Sequence, residues 1–308
     1  MLKKQNKSLK KIHSLAAVIA STCLTIAALS LNTAQATMHD HKSKEAHQEN
    51  LIGLQLWSLR NQMDENAAEA LDYVKDWGIK DLEAGGRLAG NSIGDFRALL
   101  DERGLQIVSV DTSFEEIRDN PMGAAFKAHY FGAKYATIYW IPHDGDAGFN
   151  IDNAKEAVEI LNTGGKILAE HGITLQYHPH GYEFRPHEDG TLLDYIIQNT
   201  TEAQFQMDVF WIKQGGGSPA DILKKYAGRF TSLHLKDRLP GAPITSSGGT
   251  DMDKYNVVLG KGDTGIAEVI EEAKKQGIKY FFLEDESSRV LTQVPQSLEF
   301  VRPLINGE

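Results

Sequence analysis

Four stretches of the chain carry the residues best suited to chemistry. They read Tyr177-His178-Pro179-His180-Gly181-Tyr182-Glu183-Phe184, Met207-Asp208-Val209-Phe210-Trp211, Leu233-His234-Leu235-Lys236-Asp237 and Leu283-Glu284-Asp285-Glu286. In each, polar groups close an apolar run of strand length. His178 and His180 share parity on an extended chain, as do His234 and Lys236, so each pair faces one side of its strand. Imidazoles and carboxylates without sulfur suit a borderline or hard divalent ion such as Mn, Co, Zn or Mg. Taken singly, a strand-end histidine can be a structural hydrogen-bonding group, and an aspartate before a helix can be a cap. Taken together, four strand ends offering His, Asp, His and Glu form a metal site, because acids crowded into one pocket need a cation.

The scaffold that must gather these ends is legible in the rest of the chain. From Leu51 onward strand and helix alternate eight times. Strands are expected near 52–58, 79–84, 105–110, 134–140, 173–178, 204–209, 230–235 and 279–284. Helices are expected near 65–76, 92–103, 121–131, 152–171, 190–199, 218–227, 264–276 and 294–303. The punctuation between them recurs: an amphipathic helix, a glycine, then a short apolar strand. Gly78, Gly104, Gly132, Gly172, Gly228 and Gly277 hold that place. Glycine just past a helix end closes the last turn in the left-handed conformation. Strands separated by crossover helices run parallel. Eight such units in about 250 residues describe a single (β/α)8 TIM barrel over residues 51–308. A doubly wound sheet is the other possibility, but it wants a glycine-rich turn after the first strand. That turn here is Trp57-Ser58-Leu59-Arg60-Asn61, without glycine. In α/β barrels the chemistry gathers where strands end and the following loops begin, which is where the four stretches lie. One connection, Asp237 to Asp263, is unusually long and rich in Gly, Pro and Ser, as expected of a lid.

The first 36 residues read as a signal peptide. Lys3, Lys4, Lys7, Lys10 and Lys11 precede an apolar run, and Thr33-Ala34-Gln35-Ala36 supplies an A-x-A exit. Cleavage near Ala36 makes the protein exported, either periplasmic or secreted, with no stable membrane association afterwards. Residues 37–50 read as a polar linker in which His39, Asp40, His41 and His47 are solvated. The 308-residue chain has a net charge of −10, and loss of five lysines and no acid takes it to −15. Phosphate backbones demand the opposite sign, so nucleic acid is excluded as a partner, and docking on anionic lipid is disfavoured. The one cysteine, Cys23, lies inside the signal segment. The mature chain therefore has neither disulfides nor a thiol nucleophile.

The runs YHPHGYEF, MDVFW, GRFTSLHLKD and FLEDE, with Ile52–Arg60 and Val258–Asp263, resemble the xylose-isomerase-like TIM-barrel family of sugar isomerases and epimerases. The resemblance extends from about Ile52 to Leu304. It implies one divalent metal ion held by His178, Asp208, His234 and Glu284. Many epimerases of the family carry a glutamate on the fifth strand, where it and the glutamate of the eighth strand act as two bases on opposite faces of the sugar carbon. This chain has His178 there. A subgroup of the family carries a His-x-His-x-x-Glu-Phe run like this one, but symmetric two-base chemistry is put in question.

A metal that chelates a carbonyl and its neighbouring hydroxyl stabilises an enediolate, provided a base removes the adjacent proton. Glu284 and His180 are the candidate bases. Lys236 is placed to stabilise the oxyanion, to protonate a leaving group, or to pair with Asp237 or Glu286. Glu83 and Glu183 are candidates for binding sugar hydroxyls, and Trp57, Trp140 and Trp211 for stacking on the ring or walling the pocket. An exported, acidic protein without an arginine cluster points to a small, non-phosphorylated carbohydrate. The expected function is a metal-dependent isomerase or epimerase acting on a keto-sugar or keto-glycoside. The alternative is a 3-keto-glycoside lyase on the same metal site, and the alternative of another class is a non-catalytic sugar-binding barrel. The sequence leaves the oligomeric state open.

Overall fold

The computed structural model describes residues 51–84, 88–145 and 148–307. The expected signal peptide and polar linker lie outside the described residues. Eight parallel strands close into a barrel: β1 Leu51–Gln55, β2 Asp81–Glu83, β3 Gln106–Thr112, β4 Tyr135–Ile138, β5 Thr174–Tyr177, β6 Gln204–Asp208, β7 Phe230–Leu235 and β8 Tyr280–Leu283. Each strand pairs with its successor in the chain, and β8 closes the ring on β1 in the register Leu54 with Leu283. Closure at that seam requires a residue without Cβ. A Cβ at Gly53 would stand 2.5 Å from the Phe282 ring and 2.7 Å from the Asp81 carbonyl.

The outer layer is built from α1 Arg60–Asp76, α2 Ile93–Arg103, α3 Phe114–Asp119, α4 Pro121–Phe131, α5 Ile151–Glu170, α6 Leu192–Asn199, α7 Val209–Gln214, α8 Pro219–Lys225, α9 Met252–Tyr255, α10 Ile266–Lys275 and α11 Val290–Asn306. The apolar core lies between strands and helices. In α5, Ala154, Ala157, Ile160, Leu161 and Leu168 recur at helical spacing and are buried against it. All six junction glycines have positive φ, between 66° and 81°.

The differences from expectation have local causes. β1 stops at Gln55 because its side-chain oxygen accepts the Trp57 amide at 3.1 Å, turning Leu56–Leu59 into a 3-10 turn that runs into α1. Two short helices unmarked by periodicity, α3 and α7, are set by their caps, Ser113 and Asp208. The long connection after β7 is fastened at its base. Asp237 accepts hydrogen bonds from the amides of Gly260, Gly262 and Thr264, from the Thr264 hydroxyl and from the Arg238 amide. The Arg238 guanidinium then clasps both oxygens of Asp263 at 3.0 and 2.8 Å. At its far end Gly248, at φ +71°, packs so closely that a Cβ would stand 2.7 Å from Tyr182 and 2.9 Å from Trp140.

Inside the barrel, beneath the strand ends, the filling is polar. The Ser109 and Thr137 hydroxyls are 2.7 Å apart, Thr137 donates to Gln176 Oε1 at 3.1 Å, and the Gln206 amide donates to Ser232 at 3.0 Å. Each of these side chains is fully buried. Buried polar groups need partners, so this layer holds its members to one arrangement.

Candidate metal and substrate site

The polar layer orients the residues above it. Gln206 Nε2 donates to both oxygens of Glu83, at 3.0 and 3.2 Å. Its Oε1 therefore faces His178 Nδ1 at 2.9 Å and can only accept. His178 must carry its proton on Nδ1, which leaves Nε2 a bare lone pair. That atom is buried, has no hydrogen-bond partner, and lies 3.6 Å from Asp208 Oδ2, which also has none. Asp208 ends β6 and caps α7, its other oxygen accepting the Trp211 amide at 2.9 Å. His234 Nδ1 lies 3.9 Å from the same Asp208 Oδ2, while its Nε2 is bonded to Glu83. Ligand atoms of His178, Asp208 and His234 all lie within 4.8 Å of one another. Two acceptor-only atoms face each other with no proton to share, a third nitrogen sits beside them, and a carboxylate backs that histidine. This donor set fits a divalent cation. Glu284, the fourth expected ligand, stands at the edge of the group, its Oε2 3.2 Å from His234 Nδ1.

The electrostatics of the site are set by burial and by the acids gathered in it. Burial pushes Asp208 upward, and the neighbouring Glu284 adds to the rise. Burial alone would lower His234, but the Glu83 charge and the Glu284 contact push it up to about 10. Burial holds His178 well below the usual imidazole range, as a neutral ligand requires, and brings His180 down to about 4. Burial opposes ionisation of Glu284, yet Lys236 and His234 hold it well below the usual carboxylate range.

Above this group lies a cavity of about 380 Å³. Its walls include His178, His180, Glu284 and all three tryptophans expected there. Trp57 and Trp140 are 37% and 42% exposed, whereas Trp211 is buried with its ring 5.3 Å from His180. Asp111, Gln55, Tyr139 and Glu286 complete the polar lining. Glu286 is a partner expected for Lys236, whereas Gln55, Asp111 and Tyr139, isolated polar residues on β1, on β3 and just past β4, carry no motif that singles them out.

Two residues expected to meet sugar hydroxyls are placed elsewhere. Glu83 is fully buried beneath the cavity, its carboxylate spent on His234 and Gln206. Glu183 is fully buried behind it, accepting from the Tyr177 hydroxyl and, at 3.1 Å, from the His180 amide. Burial pushes Glu183 up to about 7. Both orient histidines rather than line the cavity. Lys236 is buried too, paired with Glu286, 3.5 Å from Glu284 Oε2 and 5.2 Å from the Phe210 and Trp211 rings.

A closed parallel barrel with a cavity at its strand ends, above a His178-Asp208-His234 group that could hold a metal ion, defines the class: a (β/α)8 TIM barrel. The family model for xylose isomerase-like TIM barrels matches residues 71–304, and the chain belongs to that family. It is similar to an inosose dehydratase of Clostridium beijerinckii, 26% identical over 181 residues, which are 52% of this chain and 59% of that one. The chain thus spans less than two thirds of that relative's length. Its fold is similar to that of a sugar phosphate isomerase/epimerase from Parabacteroides distasonis, at TM-score 0.68 and 22% identity, covering 83% of this chain and 99% of the other. It is also similar to a protein named IOLI solved with a bound zinc atom, at TM-score 0.60 and 13% identity, covering 83% of this chain and 98% of the other.

Proposed function

We propose that the protein is a metal-dependent enzyme that removes a proton beside the carbonyl of a non-phosphorylated keto-sugar or keto-glycoside. We infer that the reaction continues by β-elimination. The observation that carries the metal is the pair of orphaned acceptors, His178 Nε2 and Asp208 Oδ2, 3.6 Å apart. When bound there, a divalent ion polarises a carbonyl oxygen and steadies the charge that develops on it. The chain's own residues do the rest. Glu284, kept ionised by Lys236 and His234, and His180, kept neutral by burial, are the proton acceptors at the cavity. Lys236 holds its charge beside Glu284 and balances the acidic wall. Trp57 and Trp140, partly exposed in the cavity wall, suit contact with a sugar ring, and the Gly248 end of the long connection covers Trp140.

Elimination is favoured over two-base epimerisation because β5 ends in His178, a neutral ligand, and not in a carboxylate. The dehydratase name of a sequence relative supports the same direction. The N-terminal lysine-rich and apolar segment supports export, hence a free sugar or glycoside as substrate.

The test is proton NMR in heavy water with Mn-loaded protein, offering ketohexoses beside a 3-keto-glycoside, with Asp208→Ala as the blank. Release of the aglycone together with an unsaturated keto-sugar is the expected result. Deuterium entering beside the carbonyl of an intact skeleton would replace elimination by isomerisation. No reaction from a protein that holds its metal would leave a sugar-binding barrel.

A further inference from the structure

Asp111 stands on β3, the strand diametrically across the barrel from β7. It shares a face of that strand with Ser109, whose hydroxyl meets Thr137 inside the barrel. It lines the cavity together with His178 and Glu284. It also lines a second cavity of about 170 Å³ whose wall, besides Asp111 and Lys127, is apolar: Ala84, Leu88, Ile93, Val110 and Phe131. Lys127, the cation nearby, does not pair with the Asp111 carboxyl. Its ammonium donates to the Asp111 backbone carbonyl at 2.7 Å and to Glu116 at 3.2 Å.

The other acids of the cavity wall are committed. Glu284 is held by His234 and Lys236, and Glu286 by Lys236 and the Trp57 indole. Asp111 Oδ1, in contrast, is buried with no hydrogen-bond partner. Burial first, and then the Glu83 charge, push the Asp111 carboxyl well above the usual range. A carboxyl that burial pushes toward its neutral form, lining the cavity with one oxygen unpartnered, is placed to give up a proton there.

We propose that Asp111 is the general acid of the site, protonating the oxygen that leaves the sugar. The assignment rests on the elimination reading above. A base on the opposite wall takes the proton from the carbon beside the carbonyl. The electron pair of that C–H bond forms the new C=C bond, and the β C–O bond breaks with its pair on oxygen. That oxygen takes the Asp111 proton and departs as an alcohol, or as water where the β substituent is a hydroxyl. Asp111 is left as a carboxylate and the base protonated, and solvent returns the proton between them. Placing the acid on β3 explains how a barrel with histidine at the end of β5 still has two groups for proton transfer, on opposite sides of one cavity. The mostly apolar second cavity beside Asp111 suits an apolar aglycone.

The test compares two leaving groups. Wild type, Asp111→Asn and Asp111→Glu, all Mn-loaded, are given the 3-keto-glucosides of methanol and of 4-nitrophenol. Methoxide needs a proton to leave, and 4-nitrophenolate does not. Asp111→Asn is expected to lose at least about 100-fold in kcat on the methyl glycoside, the scale of a general acid. On the nitrophenyl glycoside it is expected to lose less than about fivefold, and Asp111→Glu should recover part of the methyl rate. Metal content and Tm should match wild type. Equal losses on both glycosides, or none on either, would overturn the assignment while the elimination reading stands. Wild-type silence on both would overturn the elimination reading and the assignment with it.

Discussion

The two halves of the barrel use their strand ends differently. At the ends of β5, β6 and β7 stand His178, Asp208 and His234, whose ligand atoms lie within 4.8 Å of one another, with Glu284 after β8 beside His234. At or near the ends of β1 to β4 stand Gln55, Glu83, Asp111 and Tyr139, which form no such ligand group. Glu83 reaches across the interior to His234 and Gln206, Gln55 donates to the Tyr139 hydroxyl at 3.0 Å, and Asp111 stands alone. One half carries the candidate metal ligands, and the other helps fix how they are turned. The lesson is that a cation site in a closed barrel is only as defined as the strands facing it, because the rings of His178 and His234 are turned by groups from elsewhere.

The sharpest way to break this division is to remove a ligand. Asp208→Ala should abolish stoichiometric metal binding, weakening affinity by more than about 100-fold, since even the partners of ligands are worth up to that much. Titration calorimetry with Mn or Zn, and metal analysis after dialysis, would measure it. A variant that keeps wild-type affinity would remove Asp208 from the site.

Glu83→Gln probes the other half. The carboxylate backs His234 Nε2, and the amide that replaces it presents either a neutral oxygen or a donor to that nitrogen. Metal affinity should fall about 10- to 100-fold with the fold intact, the usual range for a group that orients a ligand. If Glu83 instead bound substrate directly, KM would rise and metal affinity would hold.

This division also explains what the amino-acid sequence reveals. The binding half is readable because histidine and paired acids after apolar runs are distinctive, and because the six junction glycines mark the strands that carry them. The orienting half is not. Glu83 sits in Asp81-Leu82-Glu83, a run with no local signal, and its role exists only once β2 faces β7 across a closed barrel. Asp111 is equally ordinary in Val110-Asp111-Thr112 until its missing partner is seen. Glu183 stands in a readable motif, yet the short 3-10 turn that follows β5 points it at Tyr177, away from the cavity. Residue type announces ligands, whereas hydrogen-bond direction, which decides between contact and support, arises from closure.

The next effect is on the cover of the site. Asp237→Asn replaces a carboxylate that accepts from Gly260, Gly262, Thr264 and Arg238, so one donor is left facing an amide group. An orphaned buried donor costs about 1–3 kcal/mol. For a chain of this size, that lowers Tm by about 2–10 °C. Metal affinity should hold, because this anchor touches neither half's ligands, while KM should rise as the Gly248 end loosens from Trp140. A loss of metal in this variant would mean that the long connection is part of the binding half.

The smallest effect expected lies at the rim, where charge is in contact with water. Asp194 closes a capping box with Thr191 at the start of α6 and accepts from Lys225 and Tyr226. Burial opposes its ionisation, but the Lys225 and Tyr226 contacts win, and its carboxyl is held below the ordinary aspartate range. A group whose pKa is lowered on folding stabilises above its unfolded pKa and loses that contribution as pH falls through the folded one. Asp194→Asn should therefore cost about 1 kcal/mol near pH 7, the worth of a cap, with Lys225 half in solvent adding little. Thermal melts at pH 7 and pH 3 would show a gap between wild type and variant that narrows at the lower pH. A gap that stays constant would mean that Asp194 acts there through shape and hydrogen bonding alone.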